Sequence, residues 1–494
     1  MILLRQHPDF DVAVVGGGPA GACAAAHLAR AGCTVALLDR ATFPRDKVCG
    51  DFVGPVAIAE LEALGVAGRR KFRRANEIRR AALYLEGEEL ITREFPRADG
   101  LPDHGRVIPR IDLDQWIVQA AAGAGAELFE GHRVTGYAIY GSLVHIHALT
   151  RAGQRVLTAR LLIGADGSGS LIARRIAGRP RGDGHRLVAA RAYCEGVDGT
   201  TDCAELFFSA DSFPGYTWLF PTGDGTANVG AGLALGTVPQ IRPRLRKLLA
   251  DRAANDPALR RRLGRARIVG GIAAWPLATY DPERPLFGDR VLLAGDAAGL
   301  INPLNGEGIQ TALASGRWAA ETAAACLDGD DLSARALARY GRRVEDELRH
   351  DMALACFLIQ LIRNRALAPV WLEALSIICR RAGRDEEYAR IAGGILGGVA
   401  PAREALGPRM ILGSAHEAAL TLGVRGFSAL LDAARGDGAE LARTAIGAAR
   451  VGVQLACDAV ADPGSVRRWA GSTVRLAVEL AVQSLKSGIR RLRP

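Results

Sequence analysis

The chain lacks most of the features that would mark a metalloprotein, a disulfide scaffold or a membrane span. Its 494 residues include nine cysteines, yet no C-x-x-C pair and no His/Cys group at metal-ligand spacing. Neither a zinc site nor a disulfide framework is indicated, and no metal is expected. No leader is read ahead of the first strand, which starts within about ten residues of Met1. Together with the unpaired cysteines, this points to a reducing, cytoplasmic setting. No run of about eighteen apolar residues occurs, so a transmembrane helix is not expected. The nearest stretch, Ala353 to Leu372, is broken by Arg363, Asn364 and Arg365. Lysine is scarce, being confined to Lys47, Lys71, Lys247 and Lys486. The formal charge of +10 is therefore carried by arginine in an Ala- and Gly-rich composition. No basic run is interleaved with aromatics, which argues against a nucleic-acid partner. Internal repeats and low-complexity linkers are also missing.

The length predicts two or three domains, and an apolar content of 49% is enough to fill their cores. The most informative stretch is Asp11 to Arg40, DVAVVGGGPAGACAAAHLARAGCTVALLDR. A buried strand runs into Gly16-Gly17-Gly18-Pro19-Ala20-Gly21, then an alanine-rich helix, then a second strand ending at Asp39. An acid roughly 20 residues after the glycines completes a dinucleotide fingerprint. Gly16 permits the tight turn, Gly18 lets backbone approach a pyrophosphate, and Gly21 lets helix and strand pack closely. The free amides at the helix N-terminus attract phosphate. Asp39 would accept hydrogen bonds from an adenosine ribose. The adjacent Arg40 leaves a 2′-phosphate open at this point.

Further along, Ala41 to Asp51 reads as a loop and Pro55 to Leu64 as a helix. Residues 76 to 98 read as strands with a hairpin at Gly87. Asp112 is placed to cap a helix burying Leu113, Trp116, Ile117 and Ala120. Two β segments turn at Gly141-Ser142, and a short strand, Ala159 to Ile163, enters Gly164-Ala165-Asp166-Gly167. Strands are expected at 187–194, 204–209, 216–221, 226–233 and 266–275, interrupted by a helix-like run from Val238 to Leu263. From about Leu337 the chain reads as helical, with turns at Gly393-Gly394, Gly397-Gly398, Pro401 and Gly436 to Gly438.

Two more turns of small residues carry acids. The first is Leu161-Leu162-Ile163-Gly164-Ala165-Asp166-Gly167-Ser168. The second is Arg290-Val291-Leu292-Leu293-Ala294-Gly295-Asp296-Ala297-Ala298-Gly299, a strand ending at Asp296, followed by the loop Asn302-Pro303-Leu304-Asn305-Gly306-Glu307-Gly308-Ile309 into a helix starting near Gly308. A carboxylate at a strand end can bind a polyol, and the next helix N-terminus can stabilise negative charge on a reduced isoalloxazine ring. These three elements, in this order, resemble the FAD-dependent p-hydroxybenzoate hydroxylase superfamily over residues 9 to about 345. The resemblance implies FAD, with Asp39 on the adenosine ribose and Asp296 on the ribityl chain. It implies that Asp166 belongs to the middle motif, which serves FAD and sometimes NAD(P)H, and that Arg110 lies near FAD. No second complete strand–glycine–helix unit is present, so NAD(P)H would visit transiently or another carrier would reduce the flavin.

Two segments narrow the family. Arg45-Asp46-Lys47-Val48-Cys49-Gly50 resembles the K-x-C-G segment of geranylgeranyl reductases, which places Cys49 near the flavin. Pro214-Gly215-Tyr216-Thr217-Trp218-Leu219-Phe220-Pro221 resembles that family's Y-x-W-x-F-P signature. Tyr216, Trp218 and Phe220 alternate, so on a strand they share a face, and such a wall suits a long apolar or polyunsaturated substrate. Lys47 and Arg45 are either solvated or position FAD phosphate or a substrate anion. Two departures stand out: Pro214 lies two residues before Tyr216, where the family has three, and Gly50-Asp51-Phe52-Val53-Gly54-Pro55-Val56 lacks the arginine that follows the proline in the reductases. Flavin halogenases carry W-x-W-x-I-P, which this chain does not.

The expected architecture is α/β. A Rossmann-like FAD-binding domain (1–75, 107–185 and 285–345) interleaves with an antiparallel β-sheet substrate domain (76–106 and 186–284). A C-terminal helical extension (346–494) follows. Its last segment, Val474 to Leu492, carries an apolar stripe of Val474, Val478, Ala481, Val482, Leu485, Ile489 and Leu492, with basic residues at its end. That helix either packs on its own domain, docks peripherally on anionic lipid, or acts as a lid. Three functions fit: an FAD oxidoreductase saturating C=C bonds of a prenyl or polyketide substrate, with Cys49 or a water it orders as proton donor; a flavin monooxygenase; and an FAD-retaining, non-redox [4+2] cyclase of natural-product biosynthesis.

Overall fold

The computed structural model describes residues 7–178, 184–240, 244–418, 454, 457–458 and 461–491, with side chains of the last segment described to residue 482. The opening unit forms as read: β1 (Phe10–Val15), α1 (Pro19–Arg30) and β2 (Val35–Leu38). Next come β3 (Phe52–Val53), α2 (Pro55–Ala63), α3 (Arg70–Arg74) and β4 (Asn76–Ile78). The hairpin at Gly87 joins β5 (Arg80–Leu85) to β6 (Glu88–Glu94), and β7 (Gly105–Val107) leads to α4 (Arg110–Gly123). Then come β8 (Glu127–Phe129), β9 (Arg133–Tyr140), β10 (Leu143–Thr150), β11 (Gly153–Gly164) and α5 (Leu171–Ala177). The second β block holds β12 (Arg186–Glu195), β13 (Cys203–Phe208), β14 (Gly215–Gly223) and β15 (Thr226–Ala234). It continues through α6 (Leu245–Asn255) and α7 (Pro257–Leu263) to β16 (Arg267–Ala278). The described chain ends with β17 (Phe287–Gly288), β18 (Val291–Leu293), α8 (Ile309–Asp328), α9 (Ala334–Ile362), α10 (Ala368–Arg384), α11 (Glu386–Leu396) and α12 (Pro463–Arg491).

The first sheet has strand order β17-β18-β11-β1-β2-β8, with β9 and β10 extending β11. β1 runs parallel to both β2 and β11, and β11 runs parallel to β18. The central strands are apolar throughout, as strands covered on both faces must be: Val12, Ala13, Val14, Leu161, Leu162, Ile163, Leu292 and Leu293 have no exposed surface. The second sheet runs β16-β12-β15-β14-β13-β5-β6. Its pairings are antiparallel except β5 with β13. A small third sheet, β3-β7-β4, packs on the second, with Ile78, Val107 and Phe52 against Ala204 and Phe220.

Small residues let α1 sit between the sheet and α8. A Cβ on Gly316 of α8 would lie 2.3 Å from the Ala20 carbonyl oxygen, and one on Gly295 would lie 2.8 Å from the Ala20 methyl. The two helices therefore meet backbone to backbone, which no larger side chain permits.

Several sequence expectations need correction. Asp112 does not cap α4: Pro109 is the N-cap, with no side-chain bond, and Asp112 lies in the first turn. Proline fixes the entry φ and removes one unpaired amide, so a side-chain cap is unnecessary. The strand expected at Ala159 to Ile163 is the end of the longer β11, which hairpins with β10. The run Val238 to Leu263 divides at Asp256-Pro257, where the Asp256 side chain accepts from the Leu259 amide and starts α7. Gly393-Gly394 is not a turn but lies inside α11, which Gly397-Gly398 ends. α9 is continuous through residues 345 and 346, where the helical extension was expected to begin. Gly436 to Gly438 lie outside the described residues.

The apolar stripe of α12 also faces away from the body. Val474, Val478 and Val482 are 64%, 59% and 41% exposed. The opposite face docks instead. Trp469 Nε1 donates to the Gln360 carbonyl (2.7 Å), Gln360 Nε2 returns a bond to the Trp469 carbonyl (3.2 Å), and Leu476 packs on the main core. Leu485, Ile489 and Leu492 lie outside the described side chains. Among the described residues no helix is long and apolar enough to cross a membrane.

Gly316→Ala is expected to lower thermal stability by about 1–3 kcal/mol, since the new methyl meets backbone that cannot rotate away. Gly123→Ala, at the end of α4 with nothing within 4 Å of the added carbon, is expected to be neutral or to stabilise by about 0.5 kcal/mol. Calorimetric melting of both variants checks the contrast, and equal effects would contradict it.

Candidate active site

The parallel register brings the three acid-bearing turns together. Val15 pairs with Gly164, and Gly164 pairs with Leu293, so β1, β11 and β18 end side by side. Gly16 has φ +109°, and a Cβ there would stand 2.2 Å from the Ala165 carbonyl oxygen. The first and second turns are thus in backbone contact. Ser168 Oγ donates to Asp296 Oδ2 at 3.1 Å, joining the second turn to the third. A Cβ on Gly308, the N-cap of α8, would lie 3.6 Å from Asp296 Oδ1, which puts that helix N-terminus beside the acid. Pro303 and Ile309 are buried at either end of this last loop, and Gly306 between them has φ +75°.

Asp39 is 8% exposed and tied to the opening turn. The Gly17 amide donates to its Oδ2 at 2.7 Å and the Ala41 amide to its Oδ1 at 2.8 Å. Arg40 is exposed. Arg45 reaches Asp39 at 3.7 Å and Asp114 at 2.8 Å, and its guanidinium is the nearest group, at 3.8 Å, to the place a Gly18 side chain would fill. Arg45 therefore stands over the glycine turn, whereas Lys47 reaches the third turn, its Nζ pairing with Asp296 Oδ2 at 3.1 Å. Burial opposes the Asp296 charge, but Lys47, Arg110 and the Ser168 hydroxyl outweigh it and hold the carboxyl below the ordinary 3.8.

Asp166 has a local duty. Its carboxylate accepts from Ser170 Oγ and, at 2.7 Å, from the Leu171 amide, capping the start of α5. The middle-motif residue that reaches across to another turn is Ser168, which the sequence motif contains without marking it out.

Cys49 and Gly50 form the floor in front of the aromatic strand. Burial raises the Cys49 thiol above its ordinary 9.0, against the lowering effect of Arg110 and of the Asp51 amide. Arg110 is buried and bound bidentately to Asp114 at 2.7 and 2.8 Å. A Cβ on Gly50 would lie 3.1 Å from the Phe220 ring and 3.5 Å from Trp218 Nε1, so this turn packs closely on β14. Tyr216, Trp218 and Phe220 do share one face, with successive ring centroids 6.2 Å apart. Trp218 is buried and donates to Asn228 Oδ1 at 3.0 Å, while the Tyr216 hydroxyl donates to the Asn305 carbonyl at 2.5 Å. The wall therefore runs from the Cys49 turn to the Gly306 loop.

Other groups of the site escape a reading of the sequence. Tyr193 and Asn228 are cross-strand partners on β12 and β15, and both bind Asp51 Oδ2, at 2.5 and 2.8 Å. Glu307, between Gly306 and Gly308, is pushed up to about 8 by burial, against a hydrogen bond with Asn305. Glu307 and Asp51 both adjoin glycines of the sequence motifs, which is the one signal that could have found them. Nothing local in sequence joins Tyr193 to Asn228.

The cradle suits FAD. An open glycine turn at a helix N-terminus with an arginine over it fits the pyrophosphate, and acids at both ends fit ribose and ribityl hydroxyls. The comparisons agree. Residues 9–205 match the profile of the FAD binding domain family. The chain is 35% identical over 343 residues to digeranylgeranylglycerophospholipid reductase 2 of Methanopyrus kandleri, covering 69% of this chain and 83% of the relative. It is 36% identical over 350 residues to menaquinone reductase of Mycobacterium tuberculosis, covering 67% and 81%. A solved geranylgeranyl bacteriochlorophyll reductase-like protein of Thermoplasma acidophilum superposes with a TM-score of 0.62 at 22% identity, over 82% of this chain and 95% of that one, which speaks to the fold. The chain belongs to the geranylgeranyl reductase-like family of FAD-dependent oxidoreductases, within the p-hydroxybenzoate hydroxylase superfamily.

Asp39→Ala removes the acceptor for two turn amides and the proposed ribose contact. FAD affinity is expected to fall by at least tenfold, about 1.5–3 kcal/mol for a hydrogen bond to a charged group. Fluorescence titration of apoprotein with FAD checks this, and wild-type affinity would contradict it.

Proposed function

We propose that the protein is an FAD-dependent reductase that saturates carbon–carbon double bonds of a long prenyl or polyene substrate. The observation that carries this reading is the aromatic face of β14, which spans from the Cys49–Gly50 turn to the Gly306 loop and borders the cofactor cradle. The names of the relatives, which act on prenylated lipid and quinone, agree with it.

Bound FAD, once reduced, supplies hydride to one alkene carbon. The chain's own residues do the rest. Gly16 to Gly21, Asp39, Arg45 and Asp296 bind and orient the cofactor. Gly295, Pro303, Gly306, Gly308 and Ile309 shape the loop in front of the ring. Tyr216 and Phe220 present apolar surface to the substrate and exclude water, while Trp218 backs them. Cys49 Sγ gives a proton to the second carbon, so hydride and proton together add H2 across the bond. A thiol raised above its ordinary range stays protonated at neutral pH, which suits a donor. Electrons come from NAD(P)H visiting transiently, or from another carrier.

Cys49→Ala is expected to lower turnover by about 100-fold while leaving flavin content unchanged. Because the thiol pKa is raised, the wild-type rate should hold through neutral pH and fall only as pH climbs past the thiol's raised value. Assay of substrate saturation with reduced enzyme checks both. Turnover with oxidised flavin alone would favour the cyclase reading, and substrate-dependent oxygen uptake the monooxygenase reading; either would overturn this one.

The exposed valines of α12 add a location. Val474, Val478 and Val482 recur every four residues, with Arg467 exposed seven residues before Val474 on the same face. We propose that this face rests on an anionic lipid surface, where an apolar substrate resides. Val474→Asp with Val478→Asp is expected to weaken binding to anionic vesicles by roughly tenfold. Co-sedimentation checks this, and equal binding by variant and wild type would contradict it.

A further inference from the structure

Asp51 lies two residues beyond Cys49 and is fully buried. It is one of few non-glycine residues with a left-handed backbone, at φ +63°. That conformation is tolerated by aspartate more than by most residues, and it persists where surrounding bonds hold it. Here they do. The Asp51 carbonyl accepts from the Ile108 amide at 2.9 Å.

The side chain is held from the other sheet. Asp51 Oδ2 accepts from Tyr193 at 2.5 Å and from Asn228 Nδ2 at 2.8 Å. The same Asn228 nitrogen donates to the Cys49 carbonyl at 2.8 Å, and its Oδ1 accepts from Trp218 Nε1 at 3.0 Å. Tyr193 is in turn covered by the Arg191 guanidinium, 4.3 Å from its ring centroid, and Arg191 pairs with Asp46 of the same loop. The Asp51 carboxylate therefore fixes the backbone of Cys49 through Asn228, which binds both. It also ties both to the aromatic strand. Asp51 Oδ1 is buried and has no protein partner among the described residues.

We propose that Asp51 is the positioning residue of the Cys49 thiol, aiming the sulfur at the space before the aromatic wall and tuning its reactivity through a fixed negative charge. The charged and titratable groups around it are Tyr193 and Arg191 from β12, Arg110 from α4, and Cys49 and Lys47 from its own loop. Burial pushes the Asp51 carboxyl up to about 6, against Tyr193, Asn228, Arg110 and Arg191, so it is ionised above that pH. The charge then faces the thiol and opposes its ionisation. The assignment bears on catalysis only if Cys49 is the proton donor proposed above, but its test reads the thiol directly.

The experiment is alkylation of the FAD-loaded protein with iodoacetamide across pH 6–10, with labelling of each cysteine followed by peptide mass spectrometry. Cys33 and Cys457, which are partly or fully exposed, serve as internal references. Asp51→Asn keeps the shape and removes the charge. It is expected to move the Cys49 profile to lower pH and raise labelling at pH 8 roughly threefold or more, the effect of half a pKa unit. Tyr193→Phe keeps the charge and removes one clamp. It is expected to raise the Cys49 rate at every pH by roughly threefold without moving the profile, as a less fixed sulfur would. Wild-type rates and profile at Cys49 in both variants, with the reference cysteines unchanged, would overturn the proposal. Should Asp51→Asn fail to fold, Tyr193→Phe decides alone: a raised rate supports the assignment and a wild-type rate overturns it. Loss of substrate reduction in Asp51→Asn without any change in labelling would leave the proposed function standing and overturn this assignment, because Asp51 would then act other than through the Cys49 thiol.

Discussion

The approach of three strand ends to one another is the constraint on which the site depends. β1, β11 and β18 stop at one level, and the residues just beyond each strand are small enough for the turns to touch. Gly16 lies against the Ala165 carbonyl, and Gly21, Gly295 and Gly316 let α1 settle between the turns and α8. Side chains of ordinary size at these places would separate the glycine turn from Asp296. The two helix N-termini, of α1 and α8, would then no longer face one ligand.

On this frame the loop from Arg45 to Asp51 acts as a bridge. Toward the parallel sheet it sends Arg45 to Asp39 and Asp114, and Lys47 to Asp296. Toward the second sheet it sends Asp46 to Arg191 and Asp51 to Tyr193 and Asn228. Partly buried charge pairs of this kind contribute little net stability, because desolvation opposes their attraction. Removing one partner is costly, however, so each pair enforces a particular geometry. The outcome is a cysteine held beside the aromatic strand, with burial raising its thiol above the ordinary 9.0. Such an arrangement serves addition of hydrogen to an apolar substrate better than it serves nucleophilic use of the cysteine.

The opening unit, the hairpin at Gly87 and the strands of the second block are legible in the sequence because their signals are local. Glycines, alternation and an acid at fixed spacing each reflect one element's own geometry. The features that escape depend on partners distant in sequence. Asp166 looks free for a cofactor, but its carboxylate is taken by the start of α5. Lys47 looks like a phosphate ligand until Asp296, 249 residues away, stands beside it. Tyr193 and Asn228 are ordinary strand residues until the β12–β15 register sets them side by side. The α12 stripe suits a packing face, yet Trp469 and Leu476 on the other side do the packing. Periodicity shows that a helix has two faces and does not say which one is inside.

The most direct measurement is a crystal structure of the protein loaded with FAD. The account predicts one molecule whose pyrophosphate lies over Gly18 and Arg45, whose adenosine ribose meets Asp39, whose ribityl chain meets Asp296, and whose ring lies between the Cys49–Gly50 turn and the Gly306–Gly308 loop. Flavin bound elsewhere, or a ring turned away from Cys49 and the β14 aromatics, would contradict it.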